Sequence, residues 1–263
     1  WKEIRYGELT FTSVGKSGVF YYSNGKLNGT YEFGSWMRVT YVDGLLHGPF
    51  MISITDGEFV SGTYSHNMLH GEFSVRNSIG PIKVQHYSYG LLHGLCELYN
   101  SIFDEAITNC NYSFGLLDGC YTIFYQNNKV HEKKTYVMGK LHGPVDKFHE
   151  NGQLKCRTRY VNDVATGYYE QFYDNGNIAM IGDFDSAGKL IIRREWYVNG
   201  FLRYELINLL GFDRRISYYE AGPGYIKKIR TTNSIGAEHG KAYNFGYTDE
   251  KSIEWSGEFT RGL

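Results

Sequence analysis

Polar and apolar positions alternate along much of this chain. Between 153 and 160, Leu154, Cys156, Thr158 and Tyr160 fall on one side, and Gln153, Lys155, Arg157 and Arg159 on the other. A period of two predicts a half-buried β-strand. Val130, Leu154, Ile178 and Leu202 take equivalent places at steps of 24. Each follows an aromatic-rich approach to a turn: Phe124-Tyr125-Gln-Asn127-Asn128, Phe148-His149-Glu-Asn151-Gly152, Phe172-Tyr173-Asp-Asn175-Gly176 and Trp196-Tyr197-Val-Asn199-Gly200. Asn-Gly between extended segments predicts a type I′ hairpin, with positive φ at both central residues.

A second phrase lies between these hairpins. Its clearest copy is Tyr136-Val-Met-Gly139-Lys-Leu141-His142-Gly143, and it returns at Tyr41, Tyr64, Tyr87 and Tyr112, with weaker copies at Tyr22 and Tyr160. The closing glycines are Gly29, Gly48, Gly71, Gly94, Gly119, Gly143 and Gly167, at steps of 19, 23, 23, 25, 24 and 24. A period near 24 marks a repeat protein, whose units bury their apolar sides against their neighbours. One unit is then strand, Asn-Gly turn, strand, and the Gly-x-Leu-His-Gly connection. The fold class expected is all-β: an elongated, twisted antiparallel hairpin stack. At ~4.8 Å between strands, nine or ten units would extend about 90–100 Å.

Three segments are expected. Residues 1–181 hold the regular repeats. Residues 182–235 interrupt the rhythm, with no closing glycine near 191 or 215, and read as degenerate or expanded units of basic bias. Residues 236–263 resume the phrase at Glu238-His239-Gly240, and Phe259-Thr-Arg-Gly262-Leu263 reads as the opening of one more unit.

Composition supports this picture. Glycine is 32 of 263 residues, about 12% against a usual ~7%, and proline is only 4, so the glycines belong to tight turns. The net charge of -1 offers no general case for nucleic-acid binding, which needs clustered cations. Cys96, Cys110, Cys120 and Cys156 form no Cys-x-x-Cys pair and are expected as free thiols. No apolar run nears the ~18 residues of a spanning helix. A cytoplasmic or intracellular location is expected, not a secreted or transmembrane one.

Tyr-x-x-Gly-x-Leu-His-Gly followed by an aromatic residue resembles the membrane-occupation-and-recognition-nexus (MORN) repeat. The 24-residue step and the hairpins are similar to its longer variant, as in bacterial antitoxin-like proteins and proteins of large DNA viruses. The resemblance covers 11–181 closely and 182–263 loosely. It implies a hairpin stack used for protein binding, scaffolding or self-association. Lipid binding has also been proposed for the family.

Candidate chemistry is sparse. His47, His70, His93 and His142, with His239 as a fifth, form a ladder. Equivalent positions about 10 Å apart cannot converge on one metal, and Asn28 and Asp118 occupy the same place, so these are expected as turn residues. Gly15-Lys16-Ser17 lacks the earlier glycine and the following helix of a phosphate loop. No catalytic, metal or cofactor residues are assigned, and no enzyme activity is expected. Two surfaces remain. Tyr125, His149, Tyr173 and Tyr197 form a row expected to meet a protein partner. Between 189 and 230 nine basic residues face four acidic ones, and Arg193, Arg194, Arg214, Arg215, Lys227, Lys228 and Arg230 are expected to meet an acidic partner or an anionic membrane.

Overall fold

The computed structural model of the chain describes residues 7–13, 16–55, 57–100, 105–209, 212–220, 226–233, 240–245 and 253–259. Gly15, His239, Arg261-Gly262-Leu263 and much of segment 236–263 lie outside them. The described elements are strands, and the fold is an all-β antiparallel hairpin stack. Neighbours in sequence pair antiparallel, from Gly7–Ser13 against Lys16–Ser23 to Gly240–Phe245 against Ile253–Phe259. The chain forms two compact units. One holds Trp1–Asn128 with Tyr136–Gly139, the other Lys129–Thr135 with Lys140–Leu263.

In the first unit, Tyr31, Phe33, Val39 and Phe50 form the buried cluster, and Phe20, Trp36, Tyr64 and Phe73 pack around it. Phe20 stacks on Tyr31 at 4.2 Å, and Phe50 tilts over Tyr64 at 4.7 Å. Such aromatic pairs stabilise beyond the area they bury. Phe50 faces Gly62, and Gly62 faces Phe73 on the next strand. A Cβ on Gly62 would lie 2.8 Å from the Phe50 ring, so only glycine lets the ring cross that strand. The row continues through Gln85, Cys96 and Cys110. No described side chain is less than 2% exposed. A single sheet layer shields its own surface only by packing along the stack.

In the second unit, the strand Leu154–Val161 alternates as its sequence predicts: residues 154, 156, 158 and 160 are buried or half-buried, and 155, 157 and 159 exposed. Val145, Thr158 and Tyr169 face one another across three strands, with Gly182 opposite Tyr169. Beside them Glu132 lies 7% exposed, bridged by Lys134 at 2.8 Å and Lys147 at 3.4 Å.

The turn chemistry reverses the expectation from sequence. The two-residue turns with positive φ at both positions lie inside the Tyr-x-x-Gly phrase: Asn24-Gly25, Asp43-Gly44, His66-Asn67, Tyr89-Gly90, Phe114-Gly115, Met138-Gly139 and Asn162-Asp163. Ser88 pairs with Leu91 and Ser113 with Leu116 directly across two of them. At Asn151-Gly152, only the glycine has positive φ. There His149 N–H donates to Gln153 O at 2.8 Å, and Gly152 N–H donates back to His149 O at 2.8 Å. That is a type I turn closed by a glycine bulge. The same pair of bonds recurs at Tyr173–Asn177 and Tyr197–Phe201.

The closing glycines have φ between +68° and +113°. They sit in bulges where three residues face one: His93, Gly94 and Leu95 lie against His86 alone. A side chain there would be strained whatever the space around it.

Through 182–233 the meander continues strand by strand. The turn changes instead. Asp185 N–H donates to Lys189 O at 2.9 Å and Gly188 N–H to Asp185 O at 3.0 Å, so a glycine-bulge turn replaces the phrase. The missing closing glycine follows from that replacement.

Candidate interaction surfaces

The two rows of turns hold the repeats together, and this use decides which side chains are left for contact. On the phrase side, the second residue of each turn donates its N–H to the phrase leucine one repeat earlier: Gly44 to Leu27, Asn67 to Leu46, Gly90 to Leu69, Gly115 to Leu92, Gly139 to Leu117 and Asp163 to Leu141, all at 2.7–2.9 Å. Where that residue is not glycine, its side chain adds a second bond. Leu46 N–H donates to Asn67 Oδ1 at 2.7 Å, and Leu141 N–H to Asp163 Oδ1 at 2.8 Å.

The phrase histidines serve the same seam. His70 packs against Tyr89 at 4.7 Å, His93 against Phe114 at 4.6 Å and His47 against His66 at 5.1 Å. Tyr89 and Phe114 N–H groups point to the Nδ1 atoms of His70 and His93, each at 3.4 Å. The ladder is a stacking device between repeats. Among the described residues, no group of three or more His, Cys, Asp or Glu is placed to hold a metal ion.

On the opposite row, the residues expected to meet a partner make hydrogen bonds between hairpins. His149 Nε2 lies 3.0 Å from Phe172 O. The Tyr173 hydroxyl donates to Trp196 O at 2.7 Å, and the Tyr197 hydroxyl to Tyr218 O at 3.1 Å. Tyr125 is half-buried in the same row. Hairpins stack with their turns in line, so a ring at this place lies against the backbone of the next hairpin. These polar tips are committed within the stack.

An exposed apolar ridge, which sequence reasoning missed, runs along the phrase-side turns of the first unit. Tyr89 is 60% exposed, and Phe114 and Met138 63% each. Met68, Leu91 and Leu116 flank them, also exposed. A Cβ on Gly90, Gly115 or Gly139 would lie 3.5–3.8 Å from Met68, Leu91 or Leu116 in turn, so each repeat's ridge residue rests on the next turn. Tyr89, Phe114 and Met138 hold φ of 48°, 46° and 50°, a region in which bulky side chains are disfavoured. Asn24, Asp43 and Asn162 fill the same seat elsewhere. Apolar identity at this seat was the available signal.

The basic segment divides between two faces. Facing pairs place Arg193, Leu206, Arg215 and Arg230 in one row, and Glu195, Tyr204, Ser217 and Lys228 in the adjacent row on the same face. Arg194 and Arg214 lie on the other face. Arg194 donates to Glu205 at 2.7 Å, and Arg215 to Asp213 at 3.0 Å. Arg193 and Glu195 form an ion pair. Two bulges modify this face. Glu195 pairs with Tyr204 and Trp196 with Leu202, leaving Arg203 as the extra residue; Ser217 pairs with Lys228 and Tyr218 with Ile226, leaving Lys227. A bulge re-aims its side chain. Arg203 and Lys227 thereby join Arg193, Tyr197, Tyr204, Tyr218 and Lys228 around a hollow of about 470 Å³. Arg203 was not among the residues expected from sequence.

Cys96 and Cys110 face each other across adjacent strands as free thiols. The hydrogen bond from Cys110 draws the Cys96 thiol below its usual range, while donating that bond, together with burial, pushes Cys110 up. Among the described residues, no helix is long and apolar enough to cross a membrane.

Stacked hairpins, seam bonds and outward-facing turns define a repeat array of β-hairpins. Residues 117–138, 141–162 and 165–186 match the MORN repeat variant, and that stretch of the chain is built of MORN repeats. Each matched copy begins just after one phrase-side turn and runs to the next. MORN repeats generally mediate protein or membrane interactions. No curated protein matches the chain. Among solved structures, an S. aureus TarM mutant in complex with fondaparinux, alpha-GlcNAc-glycerol and UDP is similar at 14% identity and TM-score 0.25, over 34% of this chain and 18% of that one. A GtfA/B complex bound to UDP and GlcNAc is similar at 16% identity and TM-score 0.18, over 44% and 22%. The chain thus spans about a fifth of the length of either, and the likeness carries no functional argument.

Proposed function

We propose that the chain is a non-catalytic scaffold that binds a protein through the apolar ridge of its first unit. The supporting observation is the occupancy of the turn seat. Bulky Tyr89, Phe114 and Met138 hold a backbone conformation better suited to Asn or Gly and remain more than half exposed. Tyr89 and Phe114 pack on His70 and His93 yet leave more than half of their surface to solvent, and strained, exposed aromatic residues are a mark of contact sites. The same repeats carry few charges: between 64 and 128 there are two basic residues, Arg76 and Lys83, and five acidic ones, Glu72, Glu97, Asp104, Glu105 and Asp118. Charge depletion is typical of an interface core. The partner that fits is an apolar protein strip with a basic margin. Membership of a larger assembly, such as a viral particle, and neutralisation of a small toxic protein are special cases of this reading.

Because Asn24 and Asn162 already occupy the seat, Tyr89→Asn with Phe114→Asn removes the ridge and spares the turns. The protein is purified gently from its source, and partners are counted by mass spectrometry. A stoichiometric protein retained by the native chain and by Tyr168→Ser, a control at an exposed tyrosine of the second unit, and lost from the double variant, is the expected result. Retention by the double variant overturns the reading. So does a dimer of the purified chain that the same two substitutions abolish, since the occupant would then be a second copy.

A further inference from the structure

We propose that the hollow between Tyr197 and Lys228 binds a small polyphosphate, a compact ligand carrying two or more phosphate groups. Four cations, Arg193, Arg203, Lys227 and Lys228, line it against one carboxylate, Glu195. Glu195 pairs with both arginines and so fixes their guanidinium groups, planar forks suited to phosphate oxygens. Among the described residues neither lysine has a carboxylate within ion-pair distance; Lys227 lies 5.5 Å from the Tyr219 ring. Arg193 Nε is buried without a hydrogen-bond partner. A buried donor left unpaired is costly, and an anion in the hollow is positioned to reorient that side chain. Burial holds the phenols of Tyr204 and Tyr218 above their usual range, so both stay protonated.

The construction is local. Residues 155, 179, 203 and 227 are each the extra residue of a bulge, at steps of 24. They are Lys155, Ala179, Arg203 and Lys227, and two consecutive basic bulges coincide only at the last two. A nucleic-acid backbone would need cations repeated along the array. One local cluster around an open hollow suits a compact ligand, and about 470 Å³ lies within the usual range of small-molecule sites. The net excess of positive lining calls for more than one phosphate group.

Calorimetric titration of the whole chain with pyrophosphate and with inositol 1,4,5-trisphosphate tests this. Saturable one-to-one binding that weakens with salt is expected. Lys228→Ala and Lys227→Ala should each weaken it about tenfold, with circular dichroism unchanged, because Lys227 is exposed and Lys228 only half-buried. Arg214→Ala, on the opposite face, should change it less than about twofold. Absence of saturable binding, or an equal loss with Arg214→Ala, overturns the site. Vesicles bearing the same headgroup separate the sources. Binding to vesicles without binding to the free headgroup also overturns it, and binding to both leaves the pocket as the recognition element.

Discussion

Glu132 shows what a buried charge costs in a fold with so little interior. Burial raises the pKa of its carboxyl, but the hydrogen bond and charge of Lys134, with the charge and hydrogen bond of Lys147, outweigh that and hold it below the usual 4.5. A carboxyl that is more acidic in the folded state favours folding fully above its unfolded value, and the contribution is lost as pH falls through the lower folded value. Thermal midpoints from pH 7 to pH 3 should therefore drop more steeply for the native chain than for Glu132→Gln once the pH passes below 4.5. At neutral pH the variant should be less stable by about 1.5–3 kcal/mol, the range for hydrogen bonds to charged groups. Parallel pH curves for the two proteins would remove Glu132 from the account.

At the scale of the turn, a strained seat makes a measurable demand. Met138 at φ 50° is disfavoured relative to Asn by about 1 kcal/mol, so Met138→Asn should raise stability by that order in denaturant unfolding. A loss of stability would mean that Met138 packs for the fold and not for a partner. Much of the element pattern was legible in sequence. The 24-residue step and the closing glycines were readable because a bulge with positive φ tolerates little else. The turn types were not. Asn-Gly suits a two-residue turn, but His149 and Gln153 bond across a three-residue loop, and the two-residue turns fell on Tyr89-Gly90 and Phe114-Gly115, where bulky residues hide the signal. The basic segment was legible as a charge excess and illegible as a site. Its face assignment depends on the bulges at Arg203 and Lys227, and each bulge shifts the period-two count by one residue. The bonds of Tyr173 and Tyr197 to the next hairpin's carbonyls were not legible, because stacking of one hairpin on the next is not visible in a single repeat.

Across the molecule, contacts link strands that are near in sequence, and damage should stay near its origin. Gly62→Ala places a Cβ 2.8 Å from the Phe50 ring, an overpacking costing about 1–3 kcal/mol. Hydrogen exchange should then rise in Gly48–Thr55, Glu58–Ser65 and Met68–Arg76, and stay unchanged in Leu154–Val161 and beyond. Uniform loss of protection along the chain would show cooperativity reaching farther than nearest neighbours.

The backbone seam bonds of the phrase side run in one direction. The turn amide of each repeat reaches back to the leucine carbonyl of the one before, as Gly115 reaches Leu92 and Gly139 reaches Leu117. During synthesis the earlier repeat therefore emerges with its acceptor open and is closed only when the following turn clears the ribosome. At 5–20 residues per second that wait is about one to five seconds per repeat. Translation and closure run the same way, so each nascent repeat is fastened by its successor before the rest of the chain exists.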